Sequence, residues 1–322
     1  MTSDSSSSVT YSVIVPIYRD HYLVQDFCDQ FQNILPKFKQ VQDVARDIEL
    51  IFVTDGGGRD DENEVRRVCD LFPFVKGVLL SRNFGQHLAL TAGYRLARGS
   101  MVGMLNVDQQ DPISELPKFF EHLSRQGADI VYGLRNVRSS SLLERISSRL
   151  FSVLMNKLTG SQTPHNVSTM RVMSRRFIDA YNSLCESERY LPGLEHWLGY
   201  EVSYVPTIHV ERAVGRSSYS FRKRLGMAVN SILSFSDRPL RIVATFGFAM
   251  AALGILATLV IIFMKLFLID FQAGYASIMT AIVLCSGFII SSIGLGSLYI
   301  GKILREVQRR PVFLTKELIK IQ

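Results

Sequence analysis

The stretch 101-MVGMLNVDQQDP-112 decides how the chain is read. Residues 101–105 are apolar and few, which suits a buried strand. They run into a segment with five polar residues, Asn106 and Asp108 to Asp111, and Pro112 then opens a polar segment with helical spacing over 114–126. A strand that stops at an acidic residue delivers that residue to the end of a sheet. The same unit recurs upstream: 11-YSVIVPI-17 stops before Tyr18 and Asp20, and 48-IELIFVT-54 stops at 55-DGGGRDD-61. Further strands are expected at 75–80 and 129–134, and helical periodicity fills 22–39, 62–72 and 86–98. Strand and helix alternate, which predicts an α/β fold around a mainly parallel sheet. Ligands of such sheets sit at the carboxyl ends of the strands, where all of these polar clusters fall.

The 322 residues suggest about two domains. Two runs, 242–264 and 274–301, carry no charge, and each exceeds the roughly 20 residues that cross a bilayer as a helix. Two C-terminal transmembrane helices are therefore expected. The net charge of +7 gathers on their outer flanks. Arg212, Arg216, Arg222, Lys223, Arg224, Arg238 and Arg241 precede them, and the basic segment 302–322 follows; between them stand only Lys265 and Asp270. The positive-inside rule predicts that both termini and the domain before the spans face the cytoplasm. The basic character thus implies a lipid bilayer with anionic headgroups as a partner, and no nucleic acid. The expected organisation is a disordered tail (1–10), a cytoplasmic domain (11–211), a basic amphipathic juxtamembrane segment (212–241), the two spans (242–301) and a basic cytoplasmic tail (302–322). Residues 139–158 form an amphipathic pattern that either lies at the membrane surface or packs on the domain. Cys28, Cys69, Cys185 and Cys285 show neither paired nor metal spacing, as expected of reduced thiols. The polar N-terminus has no signal-peptide core.

Two clusters carry chemistry. In 55-DGGGRDD-61 the glycines permit positive φ and close approach of backbone to a ligand. The pattern is not a dinucleotide fingerprint. Asp55 could accept hydrogen bonds from a base or ribose, or the segment could simply be a turn. In 106-NVDQQDP-112, Asp108 and Gln110 can both offer oxygen to one hard divalent cation, Mg²⁺ or Mn²⁺, shared with substrate phosphates. Asn106 brings no negative charge. Asp111 reads as a helix cap before Pro112, with a role behind the metal ligands as the alternative. His87, His165, His196 and His209 have no ligand spacing and read as structural.

The set YSVIVPIYRD, FVTDGGG, LSRNFGQHLALTAGYRLARG, NVDQQDP and ERAVGRSSYS, followed by two apolar spans, resembles the family 2 glycosyltransferases of GT-A fold. More narrowly it resembles the polyprenyl-phosphate glycosyltransferases, the group of dolichol-phosphate mannose synthase and the bacterial enzymes that load undecaprenyl phosphate. The resemblance implies that Pro16, Tyr18, Asp20, Val53 and Asp55 contact the nucleotide. It places the family's D-A-D-x-Q segment on Asn106, Val107, Asp108 and Gln110, so Asn106 and Val107 join the nucleotide-sugar site while Asp108 and Gln110 inherit the metal. It puts Arg135 and Arg212 near the phosphates as catalytic residues, and its R-x-x-G-x-S-K motif on Arg212, Gly215, Ser217 and Ser218. Three residues depart from the pattern by loss of a charge: Asn106, Thr169 where relatives carry Asp, and Ser218 where they carry Lys.

The activity implied is inverting transfer of one sugar from a nucleotide sugar to a polyprenyl phosphate at the cytoplasmic membrane face. An acceptor that is already an oxyanion needs no strong general base. Arg138, Arg149 and Ser217 are candidates to hold its phosphate. The alternatives are transfer to another membrane lipid and a non-catalytic scaffold derived from the family. Small residues in 287–296 would let membrane helices pack closely, as a homo-oligomer requires.

Overall fold

Runs of apolar and β-branched residues set the centre of the sheet. A computed structural model describes residues 9–39, 41–135, 166–187, 189–208, 238–267 and 274–321. In it β1 (Tyr11–Ile17) is followed by α1 (His21–Ile34) and the short α2 (Val44–Asp47). Next come β2 (Ile48–Thr54), α3 (Arg59–Leu71), β3 (Val75–Leu80), α4 (Gln86–Leu96), β4 (Met101–Met104), α5 (Leu116–Gln126) and β5 (Ile130–Arg135). Every residue of β2 is buried, as expected of a central strand covered on both faces. One face packs Val13, Val15, Leu50 and Phe52 against Phe27 and Phe31 of α1 and Val65 and Val68 of α3. The other receives α4, which comes so close that a Cβ on Gly93 would stand 2.3 Å from the Ile14 side chain.

The chain continues through β6 (Val167–Ser174), α6 (Arg175–Ser183), α7 (Leu191–Trp197) and β7 (Val202–Thr207). The order across the sheet is β7-β5-β6-β4-β1-β2-β3-β8. Strands β4, β1, β2 and β3 run parallel, as do β5 and β7. Strand β6 runs antiparallel between β4 and β5, pairing Arg171 with both Met104 and Tyr132. Its direction carries Ser168 and Thr169 to the carboxyl ends of β4 and β5. The alternating parallel core is thus as expected, with an antiparallel strand wedged into it.

The described residues divide into two units, one built on the sheet and including the C-terminal Pro311–Gln322, the other containing α8 (Arg238–Phe267) and α9 (Tyr275–Gln308). The expectation of a basic tail over 302–322 is corrected by β8 (Thr315–Ile319), which pairs antiparallel with β3. Its side chains explain why it reads as a tail. Lys316 and Glu317 make ion pairs to Glu62 and Arg66 of α3, and a short charged strand is how a sheet edge is ended without inviting further pairing. Within the helical unit, the rings of Phe246 and Phe288 lie 4.9 Å apart. Among the described residues one segment, Cys285–Gln308, is long and apolar enough to cross a membrane; Leu240–Leu256 is a shorter apolar stretch. The expected amphipathic segment 139–158 lies outside the described residues, as do most of the tail 1–10 and most of the juxtamembrane segment 212–241.

Candidate active site

The carboxyl ends of β1 to β4 converge on one edge of the sheet, and the loops there are held in two different ways. On the β1–β3 side, carboxylates clamp backbone. Asp55, at the end of β2, is buried and accepts from the amides of Phe84 and Gly85 at 2.7 and 2.8 Å. Burial raises the Asp55 carboxyl above its ordinary range even though these two amides and Arg82 favour its charge. Asp61, on the first turn of α3 and also buried, accepts from the amides of Arg19 and His21 at 2.6 and 3.1 Å. This holds the β1–α1 turn, where Arg19 has a positive φ of 61°.

The glycines between these acids serve that packing. A Cβ on Gly56 would fall 2.4 Å from the backbone of Arg82 and Asn83, and one on Gly57 would meet the Asp61 carboxylate at 1.7 Å. The close approach expected of a ligand is made by the protein's own backbone and by Asp61.

On the β4–β6 side, side chains hold each other. Gln86 Nε2 donates to Asn106 Oδ1 at 3.0 Å, and Asn106 Nδ2 donates to Thr169 Oγ1 at 3.1 Å. Thr169 Oγ1 donates in turn to Asp111 Oδ2 at 2.9 Å. Asp111 Oδ2 also accepts from the Met170 amide at 3.3 Å and from Arg135 Nη2 at 3.2 Å. Burial works to raise the Asp111 carboxyl, but the hydroxyls of Ser168 and Thr169 and the Arg135 guanidinium hold it below the usual carboxylate range. The cap expected at Asp111 is corrected: the following 3-10 turn has no side-chain cap, and Asp111 points into the sheet end, 4% exposed. A buried carboxylate with several donors is more stable there than a solvated cap.

The expected site residues sort as follows. Tyr18 is exposed, Asp20 and Pro16 are half-buried, and all three lie at the end of β1. The side chains of Val53 and Val107 are buried, and the expected nucleotide contacts at these positions would be made through the backbone. Asp108 and Gln110 are half-buried on one turn, where the Gln110 amide approaches Asp108 Oδ1 at 3.4 Å. Arg135 ends β5 beside Asp111. Arg138, Arg149, Arg212, Ser217 and Ser218 lie outside the described residues.

For a cation, the donor set is a carboxylate and a carboxamide on one turn. That is oxygen chemistry of the kind Mg²⁺ and Mn²⁺ accept, with further oxygens left to substrate and water. Asn106 has both ends of its amide engaged by Gln86 and Thr169, so it serves the loop. Among the described residues there is no group of three or more His, Cys, Asp or Glu that could hold a metal.

Sequence reasoning missed Asp61, Gln86 and the relay role of Thr169. The first was quoted within DGGGRDD, and three acids opening α3 read as solvated first-turn charges. No pattern in the sequence pairs residue 106 with residue 169, because β6 is brought in by an antiparallel connection.

The model of the family described as "Glycosyl transferase family 2" matches residues 12–181. The chain is 28% identical over 314 residues to the uncharacterized glycosyltransferase YkcC of Bacillus subtilis (strain 168), covering 97% of this chain and 95% of that one. It is 30% identical to the SfII prophage-derived bactoprenol glucosyl transferase of Shigella flexneri, covering 95% and 97%. Against the undecaprenyl-phosphate 4-deoxy-4-formamido-L-arabinose transferase of Pseudomonas fluorescens (strain Pf0-1) it is 30% identical, covering 96% and 90%.

Proposed function

The chain belongs to glycosyl transferase family 2, and on that premise we propose that it transfers one sugar from a nucleotide sugar to undecaprenyl phosphate or a similar polyprenyl phosphate, with inversion. The names of two relatives that align over nearly the whole chain support this acceptor class. One structural observation carries the choice of an anionic acceptor. Asp111 is the carboxylate placed to act as a base, and it is buried, ion-paired to Arg135 and held below the usual range. A hydroxyl acceptor needs a base that can take a proton; a phosphate acceptor does not.

The reaction then balances without proton transfer. An oxygen of the polyprenyl phosphate forms a bond to the anomeric carbon from one side. The bond from that carbon to the nucleoside diphosphate breaks on the other, and the electron pair leaves with the diphosphate. Asp108 and Gln110 would hold a divalent cation, which supplies positive charge to the departing diphosphate. Arg135, tethered by Asp111, and Arg212 add fixed positive charge. Tyr18, Asp20 and Asp55 form the nucleotide side, with Pro16 and the backbone of Val53, Asn106 and Val107; Ser218 joins them. Arg138, Arg149 and Ser217 hold the acceptor phosphate. The two apolar runs at 242–264 and 274–301 span the membrane with both termini cytoplasmic.

The test is radiolabel transfer in membranes from a panel of nucleotide sugars to undecaprenyl or dolichyl phosphate, with and without Mn²⁺. A mild-acid-labile labelled lipid formed from one donor and dependent on metal is the expected result. No lipid product from any donor would overturn the proposal.

A further inference from the structure

Two members of the relay at the β4–β6 side, Gln86 and Thr169, have near neighbours in sequence, His87 and Arg171, that contact Tyr190 and Glu195. Glu195, on α7, is 3% exposed and accepts from Arg171 Nη1 with both carboxylate oxygens at 2.5 Å. The Tyr132 hydroxyl, on β5, donates to its Oε2 at 2.6 Å. Arg171 sits two residues beyond Thr169 on β6, so the two side chains share a face, and its Nε donates back to the Thr169 carbonyl at 3.2 Å. Glu195 therefore fixes the Arg171 fork, and Arg171 fixes the backbone of the residue whose hydroxyl links Asn106 to Asp111. Burial works against the Arg171 charge, and the Glu195 carboxylate beside it overrides that, which holds the guanidinium charged.

The other arm starts at Tyr190, the residue before α7. Its ring lies edge-on to His87, with centroids 5.5 Å apart. His87 follows Gln86 on the first turn of α4, and its carbonyl accepts from Thr91 at 2.8 Å. Burial, and then Arg171, press the His87 pKa down to about 4, so this ring is neutral and packs as an apolar wall.

We infer that α7 is a strut that sets the position of the Asn106–Asp111 turn, with Glu195 and Tyr190 as positioning residues acting from its two ends. This role rests on the proposed transferase reading only for its catalytic consequence; the mechanical coupling stands apart from it. The chemistry favours this arrangement at an uncharged pair. Neither Asn106 nor Thr169 carries a charge of its own, so their geometry depends on the groups that grip them and their neighbours. A buried ion pair gives such a grip a single geometry, because leaving it costs a stranded charge.

The experiment compares full-length wild-type protein with Glu195→Gln and Tyr190→Leu in membrane-mimetic discs, by amide hydrogen exchange and by transfer kinetics. The expected result is exchange faster by about tenfold or more in 105–112, with 48–54 unchanged. The kinetic counterpart is a kcat lower by about tenfold or more with the nucleotide-sugar KM within about threefold, since binding is retained and geometry is lost. Exchange altered only within 167–173 and 190–197, with kcat unchanged, would overturn the strut. If Glu195→Gln unfolds as a whole, Tyr190→Leu decides alone, because it removes a ring contact and strands no charge. If the wild type transfers no sugar, the functional proposal fails while the exchange comparison still decides the strut.

Discussion

The two sides of the cleft are built on opposite principles. On the β1–β3 side, Asp55 and Asp61 each grip two backbone amides, so the loops are held whatever side chains they display. On the β4–β6 side, Gln86, Asn106, Thr169, Asp111 and Arg135 hold one another mainly through side chains, with the Met170 amide as the one backbone donor to Asp111 described there. A backbone clamp needs one acid and room beside it. A side-chain relay needs every member. The β1–β3 side should therefore tolerate change in what it presents and fail when its glycines are filled, whereas the β4–β6 side should respond to single-atom changes.

The largest expected effect falls on the turn after β4, where Asp108 and Gln110 are proposed to hold a cation. Asp108→Ala should lower kcat by a factor of about 100 or more, which is about 3 kcal/mol of transition-state stabilisation. The melting temperature should change by no more than a few degrees, because Asp108 is half-buried on a turn. A large loss of stability would mean that Asp108 holds the fold. Next comes a break of the backbone clamp. Gly57→Ala places a Cβ against the Asp61 carboxylate and the Arg19 amide and should cost about 2–3 kcal/mol in denaturant unfolding. Unchanged stability would contradict the crowding.

Thr169→Val keeps the shape and removes the hydroxyl that joins Asn106 to Asp111. About 1–2 kcal/mol of stability should be lost, with a kcat reduced by about tenfold. A kcat equal to wild type would show that the relay is not needed. The smallest effect is a pH dependence. His87 has a folded pKa of about 4, below its unfolded value, so the unfolded chain takes up the proton first on acidification. Its contribution is whole above about pH 6.5 and lost as pH falls towards 4. At pH 5.5 roughly 1 kcal/mol should be gone, and His87→Leu should lack that slope.

The same contrast explains what the sequence disclosed. β1, β2 and β3 were legible to the residue because buried parallel strands are continuous apolar runs between polar turns. The turn that carries Asp108 and Gln110 was legible because it follows such a run within a few residues. The relay was not, because Thr169 and Arg171 reach β4 through an antiparallel strand more than sixty residues away in sequence. Glu195 was hidden for a different reason: in 191-LPGLEHW-197 one acid on a short helix reads as surface, and only the arginine opposite it permits burial. β8 was missed because alternating charges at the end of a chain resemble a tail. The expected roles of Val53 and Val107 came from the family motif, and burial of their side chains limits them to backbone contacts.

The measurement that tests the central claim most directly is a comparison of acceptors with the purified protein in lipid. Transfer from the productive nucleotide sugar is measured to undecaprenyl phosphate and to the neutral alcohol undecaprenol, from pH 6 to 8, with Mn²⁺ present. An acceptor that brings its own anion should give transfer to the phosphate alone, with no rise in rate that follows ionisation of a protein carboxylate. Comparable transfer to the alcohol would require a base in the site and would contradict the account.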